Sequence, residues 1–128
     1  MDEQERSQQW LKQSDYDFET AKSMFRVGKY IYCVFMCHLA VEKILKGLYL
    51  KSIHRDAPKT HRLLYLLETQ ELKIAGKHGD FLEMLDEVSV PTRYPQQLEL
   101  LLEQYNKIRT QSILRMTKEV LKCLRKKL

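Results

Sequence analysis

The sequence predicts an all-α fold, an up-and-down bundle of four or five helices in one domain spanning residues 1–128. Apolar residues recur mostly at spacings of three and four, and only four glycines and three prolines interrupt the chain. Two long helical patterns, then short ones, then a long one are typical of such bundles. A chain of 128 residues also buries enough surface to need no covalent staple.

The two first helices are predicted to be long. A helix over about residues 3–27 carries one stripe, formed by Trp10, Ser14, Phe18, Ala21 and Phe25. Gly28 ends it. A second helix over about residues 30–52 is apolar around most of its circumference, which indicates a central element packed by several neighbours.

The remaining helices are separated by clear breaks. Residues 53–60 form a predicted loop, and a third helix begins near Thr60 as its N-cap. Gly76 and Gly79 precede a short fourth helix, and Pro91 and Pro95 exclude regular helix around them. One last helix is predicted over about residues 97–126, with a stripe formed by Leu98, Leu101, Leu102, Tyr105, Ile108, Ser112, Met116 and Val120.

Four polar residues interrupt the central helix. His38, Glu42 and Lys46 fall within roughly 80° of one another, and Lys43 extends the arc to about 140°. Unpaired burial would cost a few kcal/mol for each group. Two interpretations stay open. One is a structural network satisfied within the protein; the other is a site in which His38 and Lys46 face a phosphate or the backbone of a partner while Glu42 holds the histidine tautomer. Lys43 is expected to extend along the surface toward water.

Two further candidates lie outside this helix. His61, beside the predicted cap Thr60, is placed to donate to an anion at a helix N-terminus, with a solvated cap as the alternative. Arg93 and Tyr94 precede a proline, where the arginine can bind a helix C-terminus, a carboxylate or a phosphate, in a structural role or a ligand-binding one. Arg55 and His61 are weak candidates for an arginine and a general-base histidine in RNA cleavage, because spacing alone supports them. The sequence has no pattern of a catalytic serine or cysteine with its base, no glycine-rich phosphate loop and no zinc signature.

The positive charge is concentrated at the end of the chain. From Lys107 onward there are eight Lys/Arg and one acid, Glu119, whereas the net charge of the whole chain is +5. This pattern predicts either a solvated face or a surface for RNA, DNA or an acidic partner. The predicted basic surface consists of Arg115, Lys118, Lys122, Arg125, Lys126 and Lys127.

The composition also indicates where the protein is located and which kinds of site it lacks. Three cysteines, Cys33, Cys37 and Cys123, lie in apolar helical pattern, so we expect core packing without disulfides, no metal site and a cytoplasmic location. No signal peptide or membrane span is expected. The carboxylate pairs Asp15 with Asp17 and Asp86 with Glu87 are assigned to solvated helix faces.

In combination, these motifs resemble the HEPN domain family. The resemblance rests on Trp10, Gly28-Lys29-Tyr30, the segment from His38 to Lys46, Thr60-His61 with Leu64, and Thr92-Arg93-Tyr94-Pro95. It covers nearly the whole chain. It implies the HEPN helical bundle, similar to the C-terminal domain of aminoglycoside nucleotidyltransferases, and usually a homodimer.

The resemblance allows two kinds of function. Many HEPN members are ribonuclease toxins with an Arg followed, after four to six residues, by a His near the final core helix. Here no histidine follows Arg93, and only Arg55 and His61 have that spacing. Other small members bind nucleotides or nucleic acid and pair with a minimal nucleotidyltransferase, whose Gly-Ser and Asp-x-Asp pattern this chain lacks. We therefore expect a non-catalytic HEPN protein that binds a nucleotide or RNA, or docks on a nucleotidyltransferase, and carries no cofactor of its own. A ribonuclease and a purely structural dimer are the alternatives.

Overall fold

The structure, a computed structural model, describes residues 1–89 and 98–128. These residues form helices and no strand, which confirms the all-α prediction. The helices are α1 (Glu3–Arg26), α2 (Tyr30–Ile53), α3 (Leu63–Thr69), α4 (Gly76–Ser89), α5 (Leu98–Gln104) and α6 (Lys107–Arg125).

Helices α1 and α2 form an antiparallel hairpin. Gly28, with a φ of 78°, closes the turn between them, a backbone conformation that glycine adopts without strain. Farther along, the Ser14 hydroxyl donates to the Ala40 carbonyl at 2.7 Å, and the Ser7 hydroxyl donates to the Gly47 carbonyl at 3.0 Å. These buried hydrogen bonds fix the register of the two helices.

The central position of α2 is confirmed. Most of its residues are buried, and it contacts α1, α3, α4, α5 and α6. Cys33 and Cys37 are free and fully buried in this core, and Cys123 is partly buried, as the core-packing prediction required. His54, in the left-handed conformation with a φ of 63°, ends the helix.

Two predicted helix starts were wrong. Helix α3 begins at Leu63, not near Thr60; Thr60 instead accepts a hydrogen bond from the Arg62 amide at 3.2 Å in a local turn. Helix α4 already begins at Gly76, because the Ala75 carbonyl accepts from the amides of His78 and Gly79 in the first turn. Both glycines are therefore helical.

The predicted last helix is two helices. Asn106 interrupts it, and its side chain accepts a hydrogen bond from the Arg109 amide at 2.9 Å as the N-cap of α6. Because the helix is interrupted, one continuous stripe does not describe its buried side. Leu98, Leu102 and Ile108 are exposed, although the predicted stripe included them. The buried residues of α6 are Thr110, Ile113, Thr117, Val120, Leu121 and Leu124.

Candidate functional site

Glu42 lies at the centre of a polar network inside the bundle. Its Oε2 accepts a hydrogen bond from Lys46 Nζ at 3.1 Å, and its Oε1 accepts one from His61 Nδ1 at 2.9 Å. The same Oε1 lies 4.0 Å from His38 Nδ1. His38, Glu42 and Lys46 are all buried, so the predicted polar arc exists and is paired within the protein.

Asp86 of α4 completes the network from the opposite side. Its Oδ1 lies 3.1 Å from His38 Nε2 and accepts from the Leu63 amide at 2.9 Å, and its Oδ2 accepts from the Leu64 amide at 3.2 Å. Asp86 thus caps α3 from another helix. The assignment of Asp86 to a solvated face was wrong.

The Asp86 carboxylate is the acceptor in its contact with His38. Burial raises the pKa of the Asp86 carboxyl, but the hydrogen bonds from His38 and from the amides of Leu63 and Leu64 together lower it more, so the pKa lies below its ordinary value of 3.8. An ionised carboxylate only accepts hydrogen bonds. The Nε2–H of His38 is therefore the donor in this pair.

His61 lies at the solvent end of the network. It precedes α3 by two residues, and its side chain is 65% exposed. The first amides of α3 are occupied by Asp86, so the predicted anion site at this helix N-terminus is filled from within the protein. What remains is an oriented imidazole: Nδ1–H donates to Glu42, and Nε2 is left for a second hydrogen bond.

Lys46 joins this network to an open cleft. Its Nζ lies 5.6 Å from the ring centre of Trp10, within the range of cation–π attraction. Both residues line a cleft of about 470 Å³ between α1 and the loop that follows α2. Its charged side chains also include Arg6, Lys59 and Asp56, and Arg6 Nε lies 3.5 Å from Asp56 Oδ1.

The fold and the sequence motifs agree with one family. The profile of the HEPN domain matches residues 7–127. The chain belongs to the HEPN domain family. Its fold is similar to that of TT1696 from Thermus thermophilus, whose crystal structure aligns with a TM-score of 0.81 at 24% identity over 96% of this chain and 98% of that one. A search of curated proteins finds no match.

Lys43 lies apart from the network around Glu42 and pairs with Asp17 of α1. Its Nζ lies 2.8 Å from Oδ2 of Asp17 on α1, and both side chains are largely buried, at 22% and 10% exposed. The ion pair ties α2 to α1. The predictions that Lys43 extends into water and that Asp17 lies on a solvated face were both wrong.

The other predicted residues of the HEPN domain are dispersed. Arg55 is exposed in the loop after α2, and Arg93 and Tyr94 lie outside the described residues.

No group of three His, Cys, Asp or Glu side chains within residues 1–89 and 98–128 is placed to hold a metal ion. No helix of the same residues is long and apolar enough to cross a membrane. The predicted basic surface, Arg115, Lys118, Lys122, Arg125, Lys126 and Lys127, is exposed throughout.

Sequence reasoning missed Asp86 and the cleft. One signal for Asp86 was available: it follows the buried Leu82 by four residues and so lies on the inner side of α4. Arg6 and Lys59 had no such signal, because they are 53 positions apart in the sequence and only the α1–α2 hairpin brings them to one cleft.

Proposed function

We propose that this HEPN-domain protein is non-catalytic, binds a nucleotide, free or within nucleic acid, in the cleft beside Lys46, and docks as the helical partner of a minimal nucleotidyltransferase. The observation that carries the proposal is the position of Lys46. Its ammonium group is held by Glu42 at 3.1 Å and by the Trp10 ring, yet it borders an open cleft. A lysine fixed in this way is pre-organised to meet a phosphate.

The lining of the cleft supports a nucleotide. Arg6 is paired with Asp56 and Lys46 with Glu42, so Lys59 leaves the cleft with a net positive charge that attracts an anion. The Trp10 indole lines the cleft and supplies an aromatic ring for contact with a base. A volume of about 470 Å³ falls within the usual range for small-molecule sites.

The remaining residues act around this cleft. Glu42 positions both Lys46 and His61, and Asp86 positions His38. The exposed side chain of His61 keeps its second ring nitrogen for a hydrogen bond with a nucleotide hydroxyl or base. Arg93 and Tyr94 stay predicted ligand-binding residues.

The protein partners are part of the same proposal. The chain carries no nucleotidyltransferase motif, so a second polypeptide would supply that chemistry. Exposed Leu100, Leu102 and Ile108 provide apolar surface for a homodimer or for this partner. Sedimentation velocity is expected to give twice the chain mass, and co-expression with a minimal nucleotidyltransferase is expected to give one complex.

Trp10 makes the nucleotide proposal testable, since it is the one tryptophan of the chain. Titration with AMP, ATP or a short RNA is expected to change its fluorescence in a saturable way. Lys59→Ala, at an exposed loop position, is expected to weaken binding about tenfold, the effect of one lost charged contact. Lys12→Ala, also exposed but outside the cleft, is the control and is expected to bind normally. Trp10 emission that no nucleotide changes at millimolar concentration would contradict the proposal.

One observation favours ribonuclease activity as a second candidate function. The 2.9 Å hydrogen bond from His61 to the buried Glu42 orients the imidazole as a carboxylate orients a general base. Arg55, six residues earlier, would then stabilise the developing charge on the phosphate. Purified protein should be incubated with total RNA beside the Arg55→Ala/His61→Ala variant, with His54→Ala as the histidine control. Cleavage abolished only in the double variant would replace the non-catalytic proposal.

A further inference from the structure

Helix α6 presents five cations on one exposed face. We call Arg115, Lys118, Lys122, Arg125 and Lys126 the α6 stripe. At 100° per residue they fall within an arc of about 100° and extend for about 16 Å along the axis. Lys126 belongs to it because its backbone, with a φ of −65° and a ψ of −14°, continues the helical geometry. The opposite face of α6, which includes Ile113 and Val120, is buried.

The positive charge of the α6 stripe is little compensated. Among the described residues, Arg115, Lys118 and Lys122 make no ion pair, and Arg125 pairs with Asp15 of α1. Glu119, the one acid of the helix, lies beside the stripe, 3.8 Å from both Lys77 Nζ and His78 Nε2. The helix dipole favours cations in the last turn, but not Arg115 and Lys118 in the middle of the helix. Stabilisation of the helix by its dipole therefore does not explain why Arg115 and Lys118 are cationic.

The side chains of the α6 stripe indicate which kind of partner it binds. Protein interfaces have apolar or aromatic centres and few lysines, whereas between Arg115 and Lys126 no large apolar or aromatic side chain lies within this arc. Proteins that bind single strands stack bases on aromatic side chains, which are also missing from the arc. Phosphate contacts to a duplex need only exposed cations and are the remaining fit.

We propose that the α6 stripe binds the sugar-phosphate backbone of double-stranded nucleic acid without reading its sequence. The stripe shares no residue with the cleft beside Lys46, so the proposal stands whether or not that cleft binds a nucleotide. Four or five neutralised phosphates predict that the logarithm of the binding constant falls with the logarithm of salt concentration with a slope of about −4.

The test measures fluorescence anisotropy of labelled duplexes of RNA and DNA, each of about 20 base pairs, over a salt series. Arg115→Gln/Lys118→Gln/Lys122→Gln is expected to weaken binding to a duplex more than about tenfold and to reduce the slope by about 2 to 3. Lys12→Gln/Lys51→Gln/Lys73→Gln changes the net charge equally at exposed positions outside the stripe, and is expected to keep the wild-type slope. Comparison of the two duplexes shows whether the geometry of RNA or of DNA is preferred.

Three results would overturn the proposal. The two triple variants would lose affinity equally if only net charge mattered. A single strand of the same length would bind as tightly as the duplex if the stripe did not require duplex geometry. Polyglutamate would displace the duplex at equal charge concentration if the surface served an acidic protein. In each variant, nucleotide-induced change of Trp10 emission reports the cleft separately.

Discussion

The Asp86 carboxylate on α4 accepts a hydrogen bond from the buried imidazole of His38 on α2, at 3.1 Å. The same carboxylate caps the first turn of α3 through the amides of Leu63 and Leu64. One side chain therefore joins three helices, and it also fixes the proton on His38 Nε2. The network around Glu42 depends on a residue outside the conspicuous polar arc of α2.

Asp86→Ala is expected to lower the free energy of unfolding by about 2–4 kcal/mol. The variant removes a helix cap and leaves the buried His38 Nε2–H without its acceptor. Urea denaturation monitored by circular dichroism measures the loss. Glu87→Ala, at the next and exposed position, is the control and is expected to change stability by less than about 0.5 kcal/mol. Similar losses in both variants would contradict the capping role.

The contribution of Asp86 to stability is expected to depend on pH in one direction. Because its pKa is lower in the folded protein than the ordinary 3.8, stability from its ionisation is present above that value and is lost as the pH falls through the lower folded pKa. The difference in unfolding free energy between wild type and Asp86→Asn should therefore be constant near neutral pH and shrink below about pH 4. A difference that grows on acidification would show that folding raises the pKa of Asp86.

Gly47→Ala is expected to destabilise the protein by about 1–2 kcal/mol, although alanine favours helix. A Cβ at this position would lie 3.1 Å from Trp10 Cβ and 3.3 Å from the Ser7 carbonyl oxygen, both close to the backbone of α1. Thermal unfolding measures the effect. Gly79→Ala, where a Cβ meets nothing within 4 Å, is the matched control and is expected to stabilise by about 0.5–1 kcal/mol. Equal changes in stability for the two variants would show that α1 moves aside for a Cβ at position 47 without loss of stability.

Native protein is expected to react with a thiol reagent at one cysteine, Cys123. Cys33 and Cys37 are fully buried, and the hydrogen bond with Cys33 together with burial raises the pKa of the Cys37 thiol, which keeps it unreactive. Mass spectrometry after labelling with iodoacetamide near pH 8 counts the adducts. Cys123→Ser should abolish native labelling, and urea should make the other two thiols reactive. Rapid labelling of Cys37 in native protein would show that α2 and α6 separate transiently.

The long helices could be predicted because their patterns are local. The predicted spans of α1 and α2 differ from the observed ones by one residue at their C-terminal ends, where Gly28 and the polar residues after Ile53 interrupt the pattern. The central role of α2 followed from its apolar circumference. Periodicity contained this information without reference to any other element.

The missed features depend on contacts between distant residues or on weak local signals. Asp86 caps α3 although 22 residues separate it from Leu64, so no local capping pattern marks it. The buried face of α6 includes Thr117, whose hydroxyl donates to the Ile113 carbonyl at 2.8 Å and thereby becomes compatible with the core. The predicted stripe ran through Ile108, Ser112, Met116 and Val120 instead, and of these four Val120 alone is buried. Asn106, a short polar residue between leucine-rich segments, was a cap signal that the continuous stripe obscured.

The α1–α2 hairpin has a consequence for how the chain folds. Its two helices form the most extensive helix–helix contact of the described residues. Only three residues connect them, so little chain entropy is lost when this contact forms. Helix α6 must instead return to α2 across more than 50 residues, a slower search because loop-closure entropy rises with separation. We expect high φ-values at Ser14 and Ala40 and low ones at Val120, so that α6 docks after the rate-limiting barrier.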